Sequence, residues 1–454
     1  MSSLRRFLRS RRWFAGKART IRSASIADIA QVSEGSVLAL ARVRYADRDE
    51  ETYALPLVPP KGPKDAWKDA CGAPDFGRAV MDAVRAQGTF PALGGTVRAA
   101  RTRAFARLAA GLPARLRPQP LRTEQSNSSV VLGGKLLLKL YRRVAAGVNP
   151  EIELGRFLTE RRFPHAPALA GWLEYRRGGR AMALAVLQAF VPGGVDFWQF
   201  TLEELRRPSG AYPRLAALLG RRTAQLHLAL ASGKGPDFAP EPFTDRCRRK
   251  LRAGMRSQAR RTLRLLRARL PALPRSARAQ ARRVLAAEGK ILAALGSALG
   301  RPIEGRRIRC HGDLHLGQVL FTGKDFFIID FEGEPARPSS ERRLKRSPLY
   351  DAAGMLRSFH YAAQAARAPE RLADEAGAAF LEAYLSSARS GAFLPADPAR
   401  LRALLEAFCL EKALYELAYE LNNRPSWVRM PLRGILRSVE GSSGGALQIC
   451  KILK

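Results

Sequence analysis

Long apolar runs are absent from this sequence: no stretch of about 18 apolar residues occurs, so the sequence predicts no membrane-spanning helix. Cysteine is scarce as well. The chain has five scattered cysteines and no CxxC pair, which argues against a zinc site or a disulfide framework and for a reducing cytoplasm. The arginine pair of SRRWFAGK, residues 10–17, is followed by polar ARTIRSASIADIA, which lacks the apolar core of an export signal. We therefore expect a folded cytoplasmic protein without membrane contacts.

Acidic residues are missing from one long segment: residues 246–283 contain 15 Lys and Arg and no Asp or Glu, in a chain of net charge +38. One interpretation is a surface for nucleic acid or another polyanion, since cationic stretches bind phosphates by releasing counterions. The other is the solvated face of an amphipathic helix. We favour the solvated face, because no aromatic residue interleaves to stack on bases. The helix interpretation rests on apolar residues at roughly helical spacing: Leu251, Met255, Leu263, Leu266 and Leu270.

The rest of the composition is that of an ordinary globular protein, and 454 residues predict two to three domains. Residues 1 to about 90 contain strand-like runs and form a β-rich unit, and basic 98–117 is a plausible connector. From 200 to 300 and from 350 to 440 the pattern is mostly helical, interrupted by two acid-bearing strands in 308–331. This order predicts an α+β, two-lobe architecture.

A hairpin and one helix are predicted in the first lobe. Ser128–Leu132 and Lys135–Tyr141 flank Gly133-Gly134, the signature of a tight two-residue turn. Asn149-Pro150 then opens the helix IELGRFLTERR, with Asn149 as its cap. The following run, MALAVLQAFVPGG, reads as a buried strand that ends in a Pro/Gly loop.

Two acids carry the predicted chemistry. Asp313 and Gln318 lie in CHGDLHLGQVL, and Asp330 follows the apolar run FFII. Phosphorylation of a hydroxyl needs a carboxylate near the acceptor proton and oxygen ligands for Mg²⁺ on the nucleotide phosphates. Protein kinases supply these groups in HRDxxxxN and DFG, and HGDxxxxQ and DFE have the same order here. The bland alternative is that the two acids form turns or caps.

Lys139 lies within the strand LLLKLY, where burying an unpaired ammonium would be costly. We expect Glu153 of the following helix to be its ion-pair partner, with Glu151 as the competitor. A surface lysine on an edge strand is the alternative. No Gly-rich loop covers the phosphates; in its place stand Ser126, Asn127 and Ser128, and Gln188 completes the predicted nucleotide contacts.

Several long motifs resemble maltokinases, especially the maltokinase domain fused to the C-terminus of many trehalose synthases. They are RRWFAGK, LKLYRR, NPEIELGRFLTE, HGDLHLGQVL, IDFEGEPARP, ERRLKRSPLYDAAGMLRSFHYAA and LEKALYELAYELNNRPSWVRMPLRGIL. The resemblance implies a protein-kinase-like fold of the aminoglycoside phosphotransferase type with an N-terminal cap. The implied divisions are a cap at 1–95, a nucleotide-side N-lobe at 96–195 and a C-lobe with the catalytic loop and sugar site at 196–454.

The implied reaction is transfer of the ATP γ-phosphate to the anomeric hydroxyl of maltose, giving maltose 1-phosphate for glycogen or α-glucan synthesis from trehalose. Asp313 becomes the catalytic base, Gln318 and Asp330 the magnesium ligands, and Lys139 the phosphate lysine. The family's sugar-binding residues match Lys412, Tyr415, Tyr419 and Arg437. Residues 412, 415 and 419 share one helical face, and aromatic rings suit the apolar faces of a pyranose.

Alternatives remain open at this point. Tyr415 and Tyr419 are core aromatics in a bland interpretation, and Glu416, Glu420 and Asn423 are rival sugar ligands. Another sugar or amino-sugar kinase, such as a glucosamine kinase, is the runner-up, and a non-catalytic polyanion-binding protein is a third hypothesis. No trehalose synthase segment precedes Met1, so this copy is expected to be free-standing, with trehalose synthase as a candidate partner.

Overall fold

The computed structural model describes residues 3–59, 62, 67–113, 116–121, 126–335 and 337–440. Within these ranges no helix is both long and apolar enough to cross a bilayer. The chain divides into two compact units. The first is Met1–Gly193 with Pro335–Arg342, and the second is Gly194–Glu334 with Arg343–Lys454.

The strands lie mostly in the first unit. They are β1 (Ile21–Ser33), β2 (Ser36–Tyr45), β3 (Glu50–Val58), β4 (Lys68–Asp69), β5 (Thr89–Pro91), β6 (Thr96–Arg101), β7 (Gln119–Pro120), β8 (Asn127–Leu132), β9 (Leu136–Tyr141), β10 (Arg143–Val144), β11 (Leu169–Arg177), β12 (Arg180–Ala189), β13 (Val195–Asp196), β14 (Glu241–Pro242), β15 (Arg306–Arg307), β16 (Val319–Phe321) and β17 (Phe326–Ile328).

The helices lie mostly in the second unit. They are α1 (Ser3–Arg9), α2 (Pro74–Ala86), α3 (Phe105–Ala109), α4 (Pro150–Glu160), α5 (Phe197–Arg206), α6 (Tyr212–Ala231), α7 (Asp245–Arg269), α8 (Arg275–Ala286), α9 (Glu288–Ala298), α10 (Ser339–Arg342), α11 (Leu349–Ala366), α12 (Glu370–Ala388), α13 (Pro398–Asn423) and α14 (Arg429–Glu440). Short 3-10 turns occur at Ala15–Ala18, Leu270–Ala272, Leu316–Gln318, Arg389–Gly391 and Pro425–Trp427.

Two antiparallel sheets organise the first unit. One has the order β1-β2-β3-β10 with β4 beside β3, and the other has the order β5-β6-β11-β12-β9-β8-β7. The predicted buried strand MALAVLQA is confirmed as part of β12, whose residues Leu184 to Leu187 have no exposed surface. Such a continuous apolar run suits a strand in the middle of a sheet that is covered on both faces.

The hairpin of β8 and β9 is confirmed, but its loop has three residues rather than the predicted two, because Leu132 pairs with Leu136. Gly133 and Gly134 have φ values of 58° and 68°, the left-handed region that a type I′ turn requires at both central positions. A β-carbon at Gly133 would also lie 2.6 Å from a methyl carbon of Leu112. The turn fixes the register in which Ser129 faces Lys139 across the hairpin.

The basic segment 98–117 is not a simple connector, because its first residues belong to β6 and pair with β11. Val97 and Ala99 are buried while Arg98 and Arg101 are exposed, so one face of the strand packs on the core and the other faces solvent. The short apolar alternation was hidden among arginines.

The long helix α13 organises the second unit. It packs against α7, α9, α11 and α14, while α6 packs against α12. Its buried residues lie on several sides of the helix, which explains why its sequence shows little amphipathic pattern. A small sheet of order β13-β16-β17 interrupts the helices, as the sequence predicts.

The arginine-rich segment forms the predicted amphipathic helix, α7, followed by α8 after a break at Leu270–Ala272. Met255, Leu263 and Leu266 are buried, as expected from their spacing. Leu251 and Leu270 are only half-buried, because they lie toward the two ends of the helix.

Candidate active site

A buried ion pair joins the sheet of the first unit to α4. The Lys139 ammonium on β9 donates to Oε2 of Glu151 at 2.9 Å, and the Tyr141 hydroxyl donates to the same oxygen at 2.6 Å. The Lys139 and Glu151 side chains are only 6% and 4% exposed, so each compensates the other's loss of hydration. A lysine held charged on a rigid strand is suited to contact the phosphates of a nucleotide.

Lys139 pairs with Glu151, the competitor, where the sequence predicts Glu153. Residues two apart on an α-helix point about 200° away from each other, so only one of the two can face the sheet. The Asn149 side chain accepts from the N–H groups of Glu151 and Ile152 at 2.8 and 3.3 Å, as predicted for the cap. The cap starts α4 with Glu151 buried, and Glu153 is half-buried.

The remaining nucleotide-side candidates lie on strands of the same sheet or beside it. Ser126 is exposed and precedes β8, while Asn127 and Ser128 are half-buried within β8. The Ser128 hydroxyl accepts from Nε of Arg142 at 2.8 Å. Gln188 is half-buried near the end of β12, which pairs with β9. A role of these residues in nucleotide binding stays a prediction.

In the second unit, the loop that carries Asp313 is anchored by Asp351 of α11. The Asp351 carboxylate accepts from the N–H groups of His311 and Gly312 at 2.8 and 2.9 Å, and Nε2 of His227 lies 3.1 Å away. Burial alone would raise the pKa of Asp351, but the bond to His227 and the backbone N–H groups bring it below its ordinary value. Asp351 is therefore a buried carboxylate that fixes the loop backbone, while Asp313 is half-buried.

Asp330 and Gln318 are brought together by the β16–β17 hairpin. Nε2 of Gln318 donates to Oδ2 of Asp330 at 2.8 Å, and the Ile329 N–H donates to the Gln318 carbonyl at 3.0 Å. Asp330 has a φ of 65°, which is uncommon for a residue other than glycine. Backbone in this region costs about 1–3 kcal/mol and is typical of functional sites.

The donor set of Asp330 and Gln318 fits magnesium. Mg²⁺ prefers oxygen ligands, takes one or two protein groups, and fills its other positions with water and substrate phosphates. Asp330 offers carboxylate oxygens as ligands. Gln318 offers an amide oxygen if its amide group is flipped, so that the oxygen takes the place of the nitrogen that now faces Asp330. Both residues are half-buried, which leaves access for a hydrated ion.

A buried lysine connects Asp313 to a second carboxylate. The Lys412 ammonium on α13 donates to Oε1 of Glu334 at 2.6 Å and lies 3.4 Å from Oδ1 of Asp313. The Tyr350 hydroxyl donates to the same Glu334 oxygen, and the ammonium lies 4.6 Å from the centre of the Tyr350 ring. Burial would lower the pKa of Lys412, but Glu334 and then Tyr350 and Asp313 raise it well above its ordinary value. Lys412 is therefore a permanent cation beside the candidate base.

Glu334 was not among the predicted site residues. It is 2% exposed and lies 78 positions from Lys412 in the sequence. The available signal was the repeated acid in DFEGEP, residues 330–335, where a second glutamate follows the metal-ligand candidate by four residues.

The two predicted sugar-stacking tyrosines follow Lys412 on α13. The ring centre of Tyr415 lies 5.6 Å from the Lys412 ammonium, and Tyr415 is half-buried. Tyr419 is 46% exposed, which is unusual for a tyrosine in a core and argues against the bland interpretation for this residue. Lys412, Tyr415 and Tyr419 thus lie on the same helix, and Lys412 is the one of the three that contacts Asp313.

Arg437 contacts a different set of residues from Lys412 and the two tyrosines. Its guanidinium, on α14, donates to Asp374 of α12 and lies 3.7 Å from Glu370. These contacts tie two helices together. Among the described residues no bond joins Arg437 to Asp313 or Lys412. A contact of Arg437 with the sugar stays a prediction.

The rival acids on α13 are already paired. Oε2 of Glu416 accepts from Nη2 of Arg357 at 2.7 Å. Glu420 accepts from Nη2 of Arg424 at 2.7 Å and from the hydroxyl of Tyr361 at 3.0 Å. Both carboxylates therefore have cationic or hydroxyl donors, and neither presents an uncompensated charge to a ligand.

Comparison of the sequence with models of known protein families shows which family the chain belongs to. Residues 117–404 match the model of the APH phosphotransferase enzyme family. The chain belongs to this family. Residues 7–85 of this phosphotransferase match the maltokinase N-terminal cap domain, so the resemblance to maltokinases is confirmed. The predicted kinase-like fold with an N-terminal cap is confirmed by the same matches.

Two curated relatives of this phosphotransferase are glucosamine kinases. The one from Streptacidiphilus jiangxiensis is 26% identical over 329 residues, which cover 68% of this chain and 70% of the relative. The one from Mycolicibacterium smegmatis (strain ATCC 700084 / mc(2)155) is 28% identical over 332 residues, which cover 69% and 77%. These likenesses support a kinase of a sugar without fixing the sugar.

Solved structures show the same fold. A glucosamine kinase structure matches with a TM-score of 0.65 at 20% identity, covering 91% of both chains. A glucosamine kinase in complex with glucosamine, ADP and inorganic phosphate matches with a TM-score of 0.64 at 20% identity, covering 91% of this chain and 93% of that one. At this identity the likeness establishes the fold of this phosphotransferase and leaves its acceptor to its own residues.

Proposed function

We propose that this phosphotransferase transfers the γ-phosphate of ATP to the anomeric hydroxyl of maltose, giving maltose 1-phosphate and ADP. The observation that carries the phosphotransfer part is the anchored loop: Asp351 fixes the backbone beside Asp313, and Lys412 holds a cation 3.4 Å from its carboxylate. The cap match and the tyrosine-bearing face of α13 support maltose as the acceptor.

Asp313 acts as the general base. Its carboxylate takes the proton of the anomeric hydroxyl as that oxygen attacks the γ-phosphorus, and the bond from phosphorus to the β-bridging oxygen breaks to release ADP. Lys412 positions the carboxylate through their contact and donates to sugar hydroxyls or to the transferring phosphoryl group.

The nucleotide side of the reaction belongs to Lys139 and to the metal ligands. Lys139, held by Glu151, contacts the phosphates that remain on ADP. Asp330 and Gln318 would hold Mg²⁺, which supplies neutralisation of phosphate charge when bound. ATP as the donor is supported by the structural relative that holds ADP.

Maltose is favoured over an amino sugar by the charges along α13. A glucosamine ammonium needs an uncompensated carboxylate near it, whereas Glu416 and Glu420 are paired with Arg357 and Arg424. The Lys412 cation beside Asp313 would repel an ammonium group. A neutral disaccharide instead stacks on tyrosines and accepts hydrogen bonds from lysine.

Glucosamine phosphorylation is the second candidate, because the curated relatives described above are glucosamine kinases. The deciding experiment measures phosphotransfer from ATP to maltose, glucose, glucosamine and trehalose, with the maltose product identified by phosphorus NMR. We expect kcat/KM for maltose to exceed that for each other sugar by about tenfold or more, or about 1.4 kcal/mol of transition-state binding. A glucosamine kcat/KM equal to or above that of maltose would assign this chain to the second candidate.

The metal assignment makes its own prediction. Asp330→Ala should raise the magnesium concentration needed for half-maximal turnover and weaken Mg-ATP binding, and Gln318→Ala should do so less, because an anionic ligand holds a hard cation more strongly than an amide. Magnesium titrations of turnover and calorimetry of ATP binding measure both effects. Asp237→Ala, which removes an exposed acid of the same unit, is the matched control. Equal magnesium dependence in the wild type and Asp330→Ala would remove Asp330 from this role.

A further inference from the structure

One face of α7 carries a row of arginines that the proposed reaction does not use. Arg249, Arg252, Arg256, Arg260 and Arg264 recur every three or four residues. At 100° and 1.5 Å per residue, these positions span an arc of about 120° and a length of about 22 Å along the helix. A groove of about 650 Å³ lies over this face, and the same five arginines line it together with Ala253 and Ser257.

The row is not neutralised by the carboxylates around it. Among the described residues no carboxylate pairs with Arg252, Arg260 or Arg264, all of which are exposed. The acid at the end of the neighbouring helix α9, Glu288, pairs with Arg267 outside the row. The charge of the row is therefore available to a ligand.

Three arginines on other helices of the second unit do have acidic partners. Arg357 pairs with Glu416 and Arg424 with Glu420, while Arg433 pairs with Glu370. These three arginines have acidic partners, whereas Arg252, Arg260 and Arg264 have none among the described residues.

Like charges four residues apart destabilise a helix by about 0.2–0.5 kcal/mol per pair. Three such pairs follow each other along the row: 252 with 256, 256 with 260, and 260 with 264. Arg256 is fixed by donating to the Leu292 carbonyl of α9 at 2.9 Å, which keeps the row in place despite this repulsion. An anion lying along the helix would offset this repulsion through its attraction to each arginine.

We propose that this arginine face of α7 binds the phosphate backbone of a nucleic-acid duplex without sequence preference. Arginine forks match phosphate oxygens bidentately, and a duplex offers one phosphate charge about every 1.7 Å along its axis, enough to pair the whole row. A rigid duplex suits a helix, because neither backbone has to be ordered on binding.

Two other partner classes fit less well. Single-stranded nucleic acid is held largely by stacking on aromatic rings, and α7 contains none. Protein interfaces need a desolvated apolar centre, and between its arginines the row offers only Ala253 and Ser257. The face offers a ligand positive charge and little else, and positive charge is what binds the phosphates of a nucleic-acid backbone.

The test uses the full chain, a fluorescent DNA duplex of about 20 base pairs, and anisotropy titrations over a series of salt concentrations. The variant is Arg252→Gln with Arg260→Gln and Arg264→Gln, which spares the anchored Arg256. Each lost phosphate contact removes about 0.9 from the slope of log K against log salt, so we expect a slope smaller by about 2 to 3. A second duplex of unrelated sequence should bind equally well.

The matched control replaces Arg98, Arg103 and Arg107, three exposed arginines of the first unit, by Gln. It loses the same charge, so a general effect of net charge would appear equally in both variants. We expect the control to keep the wild-type slope and both variants to keep wild-type phosphotransfer and melting temperature. An equal loss of slope in both variants would overturn the proposal. Binding of long-chain polyphosphate through α7, without duplex binding at the same salt, would overturn it too.

Discussion

Asp313→Asn should lower kcat for maltose by about 10²–10⁴, the usual contribution of a general base, while ATP affinity stays near the wild-type value. The carboxamide keeps the shape of the side chain but cannot accept the anomeric proton. The loop should stay in place, because Asp351 binds the backbone of His311 and Gly312 rather than the Asp313 side chain. Steady-state kinetics and calorimetry with ATP separate the two quantities.

Lys412→Met is the informative companion to that variant. It removes the cation beside Asp313 and should affect KM for the sugar as well as kcat, whereas Asp313→Asn should act on kcat. An Asp313→Asn enzyme that retained more than roughly a tenth of wild-type kcat would remove Asp313 from the role of base.

Glu334→Gln should destabilise the protein by about 3–5 kcal/mol, because it leaves the buried Lys412 ammonium without its nearest counter-charge. It should also lower kcat. Among the described residues the remaining carboxylate partner of Lys412 is Asp313, so the ammonium would bind that carboxylate more tightly and hinder it as a base. Denaturant unfolding and steady-state kinetics measure the two losses.

The double variant Glu334→Gln with Lys412→Met separates stability from catalysis. Removing both charges should recover much of the lost unfolding free energy, since the double variant leaves neither Lys412 nor Glu334 as a buried charge without its partner. Activity should stay low, because the cation beside Asp313 is gone. A Glu334→Gln protein as stable as the wild type, or a double variant no more stable than the single one, would contradict the description of Glu334 as the partner that keeps Lys412 charged.

Local chemistry explains which features the sequence could predict. Gly133-Gly134 predicts a hairpin because few other residues tolerate two consecutive positive φ values, and Asn149 predicts a helix start because its side chain bonds the next N–H groups. The roles of Asp313 and Asp330 stay predictions, drawn from the short motifs HGDxxxxQ and DFE that carry them. Each of these signals lies within a few residues.

Features that depend on tertiary packing could not be predicted from the sequence. Whether Glu151 or Glu153 faces Lys139 depends on how α4 is rotated about its axis against the sheet. This rotation is set by packing and cannot be predicted from the two glutamates themselves. Glu334 meets Lys412, and Asp351 meets His227, across 78 and 124 positions of sequence. The sequence predicts a connector where β6 lies, because exposed arginines alternate with its buried residues Val97 and Ala99 and dominate the pattern.

The left-handed backbone of Asp330 has a consequence for evolution. Glycine would relieve the strain at this position, so the backbone conformation by itself favours glycine over Asp330. Selection for the carboxylate, and the hydrogen bond that Asp330 accepts from Gln318, oppose that drift. In a descendant that no longer needed to transfer phosphate, this position should be among the first to change, and the change should leave a protein that is more stable and inactive.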